Sequence, residues 1–176
     1  AAAEGEDWVW AGAAMRPGDR DRALLSLSRG GGDACALREY SLEAKAFVEG
    51  GFVAPEAKQN AEWVDADALI VTSAHGDATR SGYARTAKLW RRGRPFEAAE
   101  TIFAGDEADI SVFAGLDRSV EPPRWLFGRR TSFFAYRLWL GEAREEIAAP
   151  EDADKNVHGD WLLISLRTPW AVGRAT

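Results

Sequence analysis

Short runs of apolar residues recur along the chain, each broken by Gly, Asp or Pro before it reaches helical length. Three of them are alike: "ALLSLS" from Ala23, "ALIVTS" from Ala68 and "WLLISL" from Trp161. In the first, strand alternation puts Ala23, Leu25 and Leu27 on one face and Ser26 and Ser28 on the other. An aspartate-rich turn precedes each run, at 18–22, 64–67 and 158–160. The starts are 45 and then 93 residues apart, and a fourth run, "ISVFAGL" at 110–116, falls near the middle of the longer gap. A recurring unit of 40–50 residues is the spacing of a four-stranded propeller blade.

One period can be filled in. Residues 22–28, 33–40 and 45–52 read as strands joined by short turns, and "AEWVDAD" opens the next unit. There Trp63 is expected to pack between blades while the aspartates bond turn amides. Helical signal is weak. Its best candidate is "RPFEAAETIFAG" (94–105), where alanine and glutamate suit a helix but Phe96, Ile102 and Phe103 form no clean stripe. The pattern therefore predicts an all-β chain: a partial β-propeller of three to four four-stranded antiparallel blades, in one domain spanning 1–176.

Three consecutive glycines, Gly30 to Gly32, end the first run. A phosphate loop needs glycines followed by Lys and Ser or Thr at a helix start. Here Asp33 brings negative charge and an alternating segment follows, so the glycines read as a hairpin turn with φ > 0.

Composition narrows the chemistry. At 46% hydrophobic the 176-residue chain has enough apolar residues for a core, and its net charge of −6 argues against a duplex-binding face. No nucleic-acid or membrane partner is expected, since no apolar run nears the length of a membrane span. The single cysteine, Cys35, lies between alanines and reads as a small buried hydrophobe. No signal peptide is visible, which favours a cytoplasmic over a secreted location. The chain starts at Ala1 and its one methionine is Met15, so it reads as a fragment or a processed chain.

Catalytic and metal signals are lacking. His75 and His158, the two histidines, both sit in "HGD" turns and read as solvated turn residues, not as a metal or acid–base pair. No Gly-x-Ser-x-Gly elbow occurs. The carboxylates of 105–109 and 149–154 read as acidic turns. The basic clusters at 91–94 and 128–130 read as strand ends. The eight tryptophans read as packing between blades, with ligand stacking the alternative. No catalytic residue, metal ligand or cofactor is assigned.

The wording of residues 24–71, "LLSLSRGGGDACALREYSLEAKAFVEGGFVAPEAKQNAEWVDADALIV", with "SGYARTAKLWRRGRPFEAAETIF" (81–103) and "DWLLISLRTPW" (160–170), resembles the N-terminal propeller of bacterial prolyl oligopeptidases. It departs at Ala84, where the family has proline, and at Ala36–Leu37. The resemblance implies a serine peptidase of two parts. An α/β-hydrolase domain, without counterpart in this chain, cleaves short proline-containing peptides, and the propeller caps it and gates their entry. By that resemblance the loop "SAHGDATRSGYAR" (73–85) lies near the route to the active site. Its composition suits a mobile segment, so Arg80, Tyr83 and Arg85 become candidate contacts to peptide or hydrolase; an ordinary surface loop is the competing reading. Open sheet edges in a partial ring invite self-association. A freestanding propeller-like module binding a ligand or protein is the alternative function.

Overall fold

The computed structural model describes residues 7–173, and nearly all of its regular structure is strand. Blade one contains β1 (Trp8–Met15), β2 (Arg22–Arg29), β3 (Cys35–Ser41), β4 (Ala46–Phe47) and β5 (Val53–Ala57). Blade two runs β6 (Gln59–Trp63), β7 (Ala68–Ser73), β8 (Thr86–Arg91) and β9 (Glu100–Ala104). Blade three holds β10 (Ser111–Asp117), β11 (Arg124–Ser132), β12 (Ala135–Leu140) and β13 (Glu145–Glu146). A fourth unit is the two-stranded sheet of β14 (Asp154–His158) and β15 (Trp161–Ser165). Every ladder is antiparallel and, apart from β3 with β5, joins neighbours in sequence, so the expected partial propeller of three to four blades is what the chain forms.

The repeat is real, but its register differs from the one the apolar runs suggest. The second strands, β2, β7, β11 and β15, start at residues 22, 68, 124 and 161, so the blades are unequal in length. The run at 110–116 is the first strand of blade three, not the counterpart of β2 and β7. The third expected strand of the period, 45–52, shrinks to the two-residue β4 and a turn; β5 completes the pairing with β3. Residues 94–105 are not a helix: one 3-10 turn, Phe96–Ala98, precedes β9.

Burial in β2 falls on both faces. Ala23, Leu24 and Ser28 are buried, while Leu25, Ser26 and Leu27 are only half so. Register pairs Leu24 with Glu39 and Ser26 with Leu37, so this face of blade one looks onto blade two. On the other face Ala23 is buried but Leu25 and Leu27 stay half-exposed, so apolar character alone does not say how deeply a residue is covered.

The main core is that junction. Leu24, Leu37, Phe52 and Ala54 meet Trp63, Leu69, Val71, Trp90 and Phe96. Phe52 stands edge-on to Trp63 and to Trp90, with centroids 5.7 and 4.9 Å apart. The Trp63 indole N–H donates across the junction to the Ala14 carbonyl at 3.0 Å, and the Asp65 carboxylate accepts from the Asp67 amide at 2.7 Å, as expected of the "WVDAD" turn. Cys35 is buried in this core, and burial pushes its thiol pKa up. Between blades two and three, Phe103 packs on Phe127 and Trp139, both 5.1 Å away. Trp125 stacks on Phe127 as well. Trp10 and Trp161, by contrast, lie exposed on β1 and β15.

Charges tie the blades together. Glu39 is 2% exposed on the core face of β3. It takes a fork from Arg92, at 2.8 and 3.2 Å, from the turn between β8 and β9. Arg129 joins Asp109 at 2.7 Å and also bonds Asp106; the 128–130 cluster lies inside β11 rather than at its end, because these aspartates neutralise it there. Arg118 reaches from blade three to the Trp63 carbonyl. Arg124 reaches the Gly159 carbonyl in the fourth unit, whose amide donates to Ser119 Oγ at 2.7 Å.

Candidate functional site at the loop end of the blades

Antiparallel order brings six connections to one end of the sheets: the β2–β3 turn, the β5–β6 junction, the long β7–β8 loop, the β9–β10 connection, the β11–β12 turn and the β13–β14 connection. The β2–β3 turn is the hairpin the glycines imply. Gly30 and Gly31 have φ of 59° and 82°, and the Gly32 amide closes on the Arg29 carbonyl at 3.2 Å.

The β7–β8 loop, 74–85, is laced to its surroundings. Ala78 and Ala84 form an antiparallel bridge, and the Thr79 amide donates to the Tyr83 carbonyl at 2.9 Å. Thr79 is buried, and its hydroxyl donates to the Ile110 carbonyl at 2.9 Å. The Arg80 amide donates to the Glu107 carbonyl at 2.9 Å, and the Val112 amide to the Ala84 carbonyl at 2.8 Å. The glycine-rich composition suggests mobility; these bonds instead make the loop and the start of blade three one unit.

Its three candidate residues have different fates. Arg80 points outward, with only a 3.7 Å approach to Glu107. Arg85 is turned inward and forks onto Asp77 at 2.7 and 3.1 Å. Tyr83 is 43% exposed and forms a ridge between two cavities. One, of about 470 Å3, is walled by Lys58, Asn60, Thr72, Tyr83 and Ser111. The other, of about 580 Å3, is bounded by Tyr83, Ile110, Ser111, Arg130 and the exposed Phe133. Lys58 Nζ lies 4.6 Å from the Tyr83 ring centroid and 3.6 Å from Asp33. The Gln59 amide nitrogen beneath it is fixed by the Cys35 and Pro55 carbonyls, both at 2.6 Å.

Lys58 and Asn60 were not singled out by the sequence, although "PEAKQN" was legible. Their convergence with Tyr83 depends on pairing between distant strands.

Neither histidine takes part. His75 is exposed and meets the edge of Phe96 at 5.9 Å, and His158 is exposed at the end of β14. Among the described residues no three His, Cys, Asp or Glu side chains come together to hold a metal ion. Two perturbed groups lie at blade junctions instead. Burial raises the Glu62 carboxyl pKa against the opposing Leu116 amide and Arg118. Burial lowers that of Lys155, whose Nζ donates to the carbonyls of Tyr136 and Ala153, both at 3.0 Å.

Comparison with known proteins agrees with this architecture. The chain is 39% identical over 121 residues to the uncharacterized peptidase y4nA of Sinorhizobium fredii, covering 68% of this chain and 17% of that protein. It is 30% identical over 169 residues to the uncharacterized peptidase RP174 of Rickettsia prowazekii, covering 85% of this chain and 23% of that one. Among solved structures it is similar to a post-proline cleaving enzyme from Rickettsia typhi, with a TM-score of 0.78 and 25% identity over 88% of this chain and 25% of the other. The chain thus spans about a quarter or less of the length of each. The family model for the prolyl oligopeptidase N-terminal beta-propeller domain matches residues 1–162, and the chain belongs to that family.

Proposed function

We propose that this chain is a non-catalytic propeller segment that caps a prolyl oligopeptidase-type hydrolase domain and gates the entry of short proline-containing peptides. The observation that carries the reading is the laced loop 74–85, which holds Tyr83 as a fixed ridge over two cavities at one end of the blades. A rim built this way filters by size and shape without moving, because its backbone bonds are already satisfied. Arg80, 76% exposed, is free to meet peptide or hydrolase, whereas Arg85 acts by holding Asp77 and the base of the loop.

The test is Arg80→Ala and Arg85→Ala in the complete enzyme that carries this segment, with turnover measured on short and long proline peptides. The gating reading expects the ratio of long to short turnover to change. Unchanged turnover of both lengths discards it. The 176-residue chain alone is expected to hydrolyse neither.

The open edges support a further expectation: the chain on its own self-associates through β1 and β15, which expose Trp10 and Trp161. Light scattering showing a monomer at high concentration refutes this.

A further inference from the structure

The two cavities that share Tyr83 differ in chemistry. One carries an ammonium, Lys58, seated against the Tyr83 ring and facing the exposed carboxamide of Asn60. The other is mostly apolar, lined by Ile110 and the exposed Phe133, with Arg130 on its wall. Asp33 is a weak partner for Lys58. It stands 3.6 Å away with a side chain 81% exposed, so water screens the pair and a better-placed carboxylate displaces it. The cavity beside Lys58 is of the size that takes small ligands, and its floor is preorganised by the bonds that fix Gln59.

Tyr83 and Ser111 line both cavities, and Arg130 also stands on the wall of the second, so a ligand that engages Lys58 and the apolar wall across Tyr83 carries charge and apolar surface within one residue. A C-terminal amino acid does so: its carboxylate and its side chain leave the same Cα. An internal acidic residue does not, because its carboxylate sits at the end of the side chain. We propose that Lys58, Asn60 and Tyr83 form a docking site for the C-terminal residue of a peptide, with the carboxylate on Lys58 and an apolar side chain across Tyr83 against Ile110 and Phe133. This rests on the reading that peptides reach this end of the blades, and it names the end of the peptide that is recognised.

The test is titration of the 176-residue chain, with its fold checked by circular dichroism, against three probes: N-acetyl-Ala-Ala-Phe as the free acid, its C-terminal amide, and N-acetyl-Ala-Glu-Phe amide. The free acid is expected to bind about tenfold or more tightly than either amide, the difference a hydrogen-bonded charge makes. Lys58→Gln brings the acid down to the level of the amides, and Asp33→Asn strengthens it by removing the competing carboxylate. Arg130→Gln leaves the preference for the acid in place.

The proposal is overturned if no probe binds at 10 mM, if acid and amide bind alike, if the glutamate amide matches the acid, or if the preference follows Arg130 rather than Lys58. The gating reading fails separately: it is decided by the turnover ratio of the complete enzyme, which a chain without preference for the acid leaves untouched.

Discussion

Removing Arg92 tests what holds blade one against blade two. Glu39 is a carboxylate at 2% exposure, and its charge is met by the two Arg92 bonds and by the Phe52 amide at 3.1 Å. Arg92 also lies 4.6 Å from the centroid of Phe52 and bonds the Ala66 carbonyl at 2.6 Å and Asp67 at 3.0 Å. Arg92→Met keeps most of the apolar stem but strands the carboxylate. Breaking a buried pair by removing one partner costs about 3–5 kcal/mol. The Arg92 side chain is 27% exposed, so water enters behind the shorter residue and the low end applies, about 3 kcal/mol. For a chain of this size that is a fall in Tm of about 6–12 °C.

The second substitution identifies the cause. Glu39→Gln in the Arg92→Met background removes the stranded charge while leaving an oxygen for the Phe52 amide. Urea unfolding of the four proteins gives the coupling. The double variant is expected to recover at least about 1 kcal/mol over Arg92→Met, since an unpaired neutral amide costs less to bury than an unpaired charge. Two results refute the reasoning: Arg92→Met losing less than about 1 kcal/mol, or a double variant no more stable than Arg92→Met.

Two further outcomes follow from packing and charge. A Cβ on Gly128 would lie 1.9 Å from Phe113 Cζ, so Gly128→Ala is expected to destabilise by about 1–3 kcal/mol, with Phe113→Leu in the same chain restoring part of it; equal stability of Gly128→Ala and the parent in urea refutes this. The Ser119 hydroxyl, first among its causes, and then the Ser119 amide and Arg124 hold the Asp117 carboxyl below its ordinary range. A depressed folded value means stability that is present above the ordinary carboxylate pKa, near 3.8, and lost as pH falls through the lowered one. Ser119→Ala is expected to move the acid limb of unfolding to higher pH, and an unchanged acid midpoint by circular dichroism counts against it.

The blade pattern and the single residues were legible to different depths, for physical reasons. Strand alternation and glycine turns are local, so the all-β class, the 30–32 hairpin and the "WVDAD" turn could be read directly. Which strand is first in its blade is not local. Residues 110–116 and 23–28 are equally apolar, and only pairing decides that one sits at the edge of its sheet and the other second. The same limit applies to the site. Tyr83 stands out within a loop of local composition, while Lys58, two strands earlier in the sheet order, joins it because the Ala74 amide closes on the Lys58 carbonyl at 3.0 Å. The buried Glu39 makes the point most sharply. By alternation it occupies a core position in β3, where a charge is costly, and its partner comes 53 residues later from a turn the sequence marks only as basic. Arginines thus cross successive junctions to acids and carbonyls of the neighbouring unit: Arg92 and Arg118 reach back to Glu39 and the Trp63 carbonyl, and Arg124 reaches forward to the Gly159 carbonyl. Apolar burial is non-directional, whereas a fork onto one buried carboxylate fixes a position. The Arg92–Glu39 fork therefore favours one register of blade two on blade one, while Lys58 and Tyr83, both flanking strands of blade two, are brought together by that blade's own strand pairing.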